Sequence, residues 1–202
     1  MSAELPYLPV RRLSGQETLH RGGQPLAPQV LAFWQWAASD LLGNTFRGWF
    51  AEFLVASDLG ITGATRNGWE GFDLQTKDGV RIEVKASAYL QSWKQKRLSD
   101  PAFSVRPAKA WDPKTDTFTD APDRHSDVYV FCLLHHTDKA TVDPLDVTQW
   151  TFFVLSTLAI NKRLGPRQSV TLRQLKALGP LEAQWGAIAP AIGEALARND
   201  AA

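Results

Sequence analysis

An α/β fold, a central mixed sheet flanked by helices, is what this sequence predicts. Three observations carry the prediction. Helical periodicity marks the front of the chain, short strand-like segments run through its middle, and helical segments return at its end. The 202 residues are 44% hydrophobic and 21% charged, a balance that suits one domain with a sizeable core.

In order along the chain, residues 1–26 are dotted with Pro, Gly and Arg and read as an extended arm; residues 27–202 read as a single domain. Residues 28–42 form a helix ended by Gly43. Asn44 caps a second helix, which runs to about Leu59 and stops at Gly60. "GFDLQT" and "VRIEVKA" alternate in polarity around Lys77-Asp78-Gly79, a hairpin signal. Residues 88–98 continue as a helix, or as a strand followed by a basic turn, and "AFSVRP" is a further strand. Residues 107–126, with three prolines, form a polar loop excursion. "DVYVFCLLHH" and "WTFFVLS" are buried strands. "TLAINKRLG" and "TLRQLKALG" are short helices, and a helix over 182–198, bent at Pro190, closes the chain.

A net charge of +1 means that any polyanion surface must be a local patch. One cysteine, Cys132, excludes an intrachain disulfide framework and a multi-cysteine zinc site. The first residues carry no long apolar run and no stretch reaches membrane-span length, so a cytoplasmic protein is expected.

The candidate chemistry lies in Glu52, Asp73, Glu83 and Lys85. Strand side chains alternate, so Arg81, Glu83 and Lys85 share one face, and Val80, Ile82, Val84 and Ala86 the other. A two-residue Asp78-Gly79 turn pairs Leu74 with Glu83 and sends Asp73 to the wrong face. A three-residue Lys77-Asp78-Gly79 turn pairs Leu74 with Ile82 and Asp73 with Glu83, with Gly79 at the left-handed position. Because a one-residue slip inverts every face, the apolar pattern selects the second register. Opposed carboxylates then have Cβ atoms about 5 Å apart, and like charges at about 4 Å repel by roughly 4 kcal/mol at an effective dielectric of 20. Lys85 supplies one counter-charge and a divalent cation, best Mg²⁺, the rest. Glu52 sits between small Gly48 and Ala56, with Trp49 and Val55 nearby. A carboxylate in such a slot needs a partner, for which the metal or Lys85 is expected.

On these residues the chain resembles the PD-(D/E)xK nuclease superfamily, which has the restriction-endonuclease-like fold. Asp73 matches its first acid, Glu83-Val84-Lys85 its acid-x-lysine element and Glu52 its helical glutamate, over about residues 44–135. Phe72 stands where the motif's name has proline. The resemblance implies Mg²⁺, with Mn²⁺ as a substitute, held by Asp73, Glu83, Glu52 and the Val84 carbonyl. It implies that Lys85 orients the attacking water, and it makes Gln91 a candidate for the polar residue that follows the lysine strand.

After that element the chain turns basic. Lys94, Lys96, Arg97, Arg106, Lys109 and Lys114 outnumber Asp100 and Asp112 by four between residues 94 and 114, interleaved with Trp93 and Trp111. This pattern suits phosphate contact and base stacking, against the plainer reading of a solvated loop. Cys132, His135 and His136 end a buried strand and read as packing. His125, Ser126 and Asp127 are sequence neighbours, unlike a triad, which is built across a fold. Trp34 and Trp36 read as a helix pair or a dimer contact. The function expected is a Mg²⁺-dependent endonuclease hydrolysing phosphodiester bonds, with DNA preferred to RNA, in defence or in repair and junction processing. Cutting both strands would suit a homodimer. The alternative is a nuclease-fold module that binds nucleic acid or a protein without cleaving.

Overall fold

In the computed structural model, residues 5, 7–66, 68–112 and 115–200 are described. The arm contains a hairpin, β1 (Thr18–Arg21) and β2 (Gln24–Gln29), turned by Gly22-Gly23 at φ +56° and +84°. Two positive φ values at the turn are what a tight hairpin demands, and a Gly-Gly pair supplies them. The first helix, α1 (Val30–Ala38), is therefore shorter than the expected 28–42. Asp40 ends it, its Oδ1 accepting the N–H groups of Leu42 and Gly43.

Helix α2 (Asn44–Asp58) follows. Gly43, not Asn44, is its capping position, and the Asn44 amide oxygen instead accepts from the Arg47 guanidinium at 2.6 Å. Strand β3 (Leu74–Gln75) is only two residues long, and β4 (Arg81–Ala88) is eight. No helix continues beyond Ala88; the chain turns instead, with Ser99 N–H bonded to the Tyr89 carbonyl. Strand β5 (Ala102–Ser104) leads into the excursion, which is more ordered than a loop. It holds a two-stranded ribbon, β6 (Trp111–Asp112) and β7 (Thr117–Phe118), and an Ala108–Asp123 bridge.

Strands β8 (Val128–Leu134) and β9 (Trp150–Ser156) are wholly buried, as their apolar runs require. Helix α3 (Thr157–Leu164), β10 (Ser169–Thr171) and α4 (Leu172–Ala177) come next. The closing segment is split. Strand β11 (Leu181–Ala183) precedes α5 (Ile188–Asp200), so Pro190 lies in the first turn, where a missing N–H costs nothing and no bend results.

The central sheet has the order β11-β9-β8-β4-β3, with β4 and β8 parallel and the other pairs antiparallel. This is the mixed sheet flanked by helices that the sequence predicts. Strand β5 does not join it but pairs with β10. One face packs Ile82, Val84, Val128, Val130 and Cys132 against α2 and α5. The other packs Tyr129, Phe131, Leu133 and Phe153 against Phe103, Ile160 and Leu175. Among the described residues, no helix is long and apolar enough to cross a membrane.

Candidate active site at an open sheet edge

The β3–β4 hairpin adopts the register favoured by the apolar pattern. Leu74 faces Ile82, Gln75 faces Arg81, and Gly79 closes the turn at φ +92°. Because β3 begins only at Leu74, the outer edge of β4 loses its partner strand beyond Ile82. Asp73 fills that gap. Its N–H donates to the Ile82 carbonyl (3.0 Å), and its Oδ2 accepts the Val84 N–H (2.8 Å). The Val84 N–H thus points off the open edge, and in an extended strand the carbonyl of the same residue points the same way.

The acids reach this edge from three directions. Glu83 and Lys85 lie on one face of β4, and α2, which carries Glu52, packs on the other. Asp73 lies between them, at the edge itself. The Lys85 ammonium contacts Glu83 Oε1 directly. Burial pushes the Glu83 carboxyl above its ordinary range, the charges of Asp73 and Glu52 push it further, and Lys85 opposes the shift. Burial likewise raises Glu52, with Arg66 opposing and Asp73 reinforcing. The three acids therefore feel one another around the strand edge, although no single face of the sheet carries them all.

Glu52 has a partner that the sequence did not point to. Arg66, in the connection after α2, grips it with two parallel bonds, Nε–Oε2 at 2.5 Å and Nη2–Oε1 at 2.9 Å. The same guanidinium lies 5.2 Å from the centre of the Trp49 ring. The expected partner, Lys85, is engaged with Glu83 instead. Arg66 sits in a Gly- and Thr-dotted stretch with no periodicity to betray it; the only signal was the certainty that Glu52 needed a counter-charge. Tyr129, opposite Glu83 in the β4–β8 register, was also hidden inside a uniformly apolar strand. Burial first, and then the Glu83 charge, raises its hydroxyl pKa, so it keeps its proton.

Asp73, Glu83 and Tyr129 open into a cleft of about 620 Å³. Its far wall is formed by Arg106, just before the excursion, and by Lys109, Trp111, Asp116 and Asp123 within it. Trp69 packs edge-on against Trp111 at 5.2 Å. Arg124 anchors the base of that wall through bonds to the carbonyls of Val105 (2.7 Å), Gly165 (2.9 Å) and Arg167 (3.1 Å). The two walls touch at Gly71, where a β-carbon would come within 3.0 Å of both Ala110 and His125.

The other sequence candidates lie elsewhere. Gln91 is buried beyond the end of β4, where its side-chain oxygen accepts from Arg47 Nη1 at 3.1 Å. Lys94, Lys96 and Arg97 are in the turn after β4 and do not line the cleft. Lys114 lies outside the described residues. Cys132 is a core residue, while His135 and His136 bond to Thr151 and Thr141. His125 bonds to the Ala108 carbonyl, and Asp127 pairs with Arg81.

Among the described residues, no three His, Cys, Asp or Glu side chains stand close enough, as placed, to hold an ion together. The donor set nevertheless fits Mg²⁺, which takes hard oxygen ligands and is commonly held by one or two carboxylates, with water and substrate completing its shell. Asp73 and Glu83 supply two carboxylates, and the open edge adds the Val84 carbonyl. Burial is the main reason that the Glu83 and Glu52 carboxyls are raised, and the neighbouring acid charges add to it.

A family model, that of bacteriophage T4 endonuclease IV, matches residues 32–174. This span takes in α2, the hairpin, the excursion, β8 and β9. No curated protein matches the chain.

Proposed function

The chain belongs to the bacteriophage T4 endonuclease IV family, and on that premise we propose that it is a Mg²⁺-dependent endonuclease of the PD-(D/E)xK type that hydrolyses phosphodiester bonds in DNA. The observation that carries this reading is the meeting of Asp73, Glu83 and Lys85 at the open edge of β4, in front of a cleft whose other wall carries Arg106 and Lys109.

Asp73, Glu83 and the Val84 carbonyl would hold Mg²⁺, or Mn²⁺ as a substitute, with Glu52 joining when Arg66 releases it. The bound ion would acidify a water and offset charge on the phosphate. Lys85 holds its ammonium beside Glu83, where it orients the attacking water and balances the negative charge that develops. Arg106 and Lys109 take the flanking phosphates. Tyr129 keeps its proton and adds no charge. The single buried cysteine needs no oxidising compartment, which suits action in the cytoplasm.

One observation favours a second reading. Two of the three acids are already paired, with Arg66 and Lys85, as a module that binds without cutting would have them. Incubation with plasmid, linear duplex, single-stranded DNA and RNA, with Mg²⁺ or with chelator, separates the two. Cleavage of DNA that needs Mg²⁺ and is lost in Lys85→Ala supports the endonuclease. Binding without cleavage of any substrate supports the module.

A further inference from the structure

The Arg66–Glu52 pair is built for exchange. Arg66 bonds the Glu52 carboxylate through Nε and Nη2. Its third nitrogen, Nη1, lies 2.9 Å from where a β-carbon on Gly68 would stand, and Gly68 lines the cleft. The two partners are unequally placed, the Arg66 side chain being 39% exposed and that of Glu52 10%. An anion arriving from the cleft therefore reaches the guanidinium before the carboxylate. The Trp49 ring, 5.2 Å from the guanidinium, supports it independently of Glu52. Arg66 also lies within range of the Asp73 charge, so it stands on the acidic side of the cleft, across from Arg106 and Lys109.

Resting on the reading of this site as an ion-dependent nuclease, we propose that Arg66 is a phosphate-binding residue held in reserve, which leaves Glu52 for a phosphate of the DNA backbone when a divalent ion takes over that carboxylate. The guanidinium fork fits a phosphate as it fits a carboxylate, so Arg66 loses little in the exchange. Glu52 is the member that cannot stand alone, because a carboxylate so nearly buried needs a cation. Without the ion, Glu52 keeps Arg66 and masks it from DNA. With the ion, the mask lifts. By linkage, each of the two ligands then strengthens the binding of the other.

The test reads binding and needs no cleavage. Fluorescence anisotropy gives the affinity for a labelled DNA hairpin with a single-stranded tail, in chelator and in Mg²⁺, with every chain carrying Lys85→Ala so that the hairpin stays whole. Adding Arg66→Ala should weaken binding by less than about twofold in chelator and by about tenfold in Mg²⁺, the scale of one charge-assisted contact. Glu52→Gln removes the mask, so in its presence the tenfold penalty of Arg66→Ala should appear in chelator as well. A merely structural role for Arg66 would give the same penalty in every arm. Circular dichroism at the assay temperature checks that each variant is folded.

A penalty that is equal in all arms, absent from all, or confined to chelator overturns the proposal. A Lys85→Ala chain that does not bind the hairpin in either buffer overturns it together with the nuclease reading. Wild type that cuts nothing in Mg²⁺, while the Arg66→Ala penalty still follows the expected arms, sinks the nuclease reading alone.

Discussion

Asp73 reaches past the end of its own strand and accepts the backbone N–H of Val84 at 2.8 Å, closing the edge of β4 with a side chain where a strand would otherwise lie. The carboxylate thus has two duties, one structural and one electrostatic, and substitutions separate them. Asn keeps an acceptor oxygen but not the charge; Ala keeps neither. Asp73→Asn should unfold at close to the wild-type denaturant midpoint yet cut no DNA. Asp73→Ala should be equally inactive and also less stable, by about 1 kcal/mol for the lost hydrogen bond. Urea titrations and plasmid nicking assays distinguish the two.

Lys85 is half-buried, its ammonium on Glu83. Lys85→Ala should therefore fold normally and lose cleavage by at least about 10²-fold, the scale of removing one group that stabilises transition-state charge. Wild-type turnover in this variant would move the chemistry elsewhere.

The raised Glu83 carboxyl fixes the sign of a pH effect. Its folded pKa exceeds its unfolded one, so between the two values the native state binds the extra proton. Stability is then highest below the unfolded value, near 4.3, and falls as pH rises through the folded value. Glu83→Gln carries no such penalty. Its melting temperature should exceed wild type at about pH 8, and the gap should close toward about pH 4. Added Mg²⁺ should raise the wild-type midpoint and leave that of Glu83→Gln nearly unmoved.

Arg66 competes with any cation for Glu52. Arg66→Ala should cost about 1–2 kcal/mol in chelator, a partly exposed pair being worth less than a fully buried one. Part of that loss should return on adding Mg²⁺. The test is the shift in melting midpoint with and without the ion, which should be larger for the variant than for wild type.

Only some of the basic residues line the cleft. Arg106→Ala and Lys109→Ala should each lower the slope of log K against log salt by about 0.9 for duplex DNA, the signature of one lost phosphate contact. Lys94→Ala, Lys96→Ala and Arg97→Ala should change it little. Fluorescence anisotropy across a salt series measures this.

The hairpin at the candidate site was legible because alternation and turn length together leave one register: Leu74 can meet Ile82 only if three residues turn the chain. That Asp73 would reach along the edge to the Val84 N–H was not. The two buried strands announced themselves by largely apolar runs. What stayed hidden depended on contacts distant in sequence. Arg66 lies fourteen residues from Glu52 in a stretch without pattern. Strands β10 and β11 are three residues each, too short for alternation to register beside the helices that follow them. The Gly22-Gly23 hairpin carried a turn signal but no apolar alternation around it, and composition alone made it look like an arm.

Gly71 sets the gauge of the entrance. Its bare α-carbon lets the segment leading to Asp73 lie directly against the excursion. One added methyl group would press on both Ala110 and His125, and the excursion would have to yield by a few tenths of an ångström to admit it.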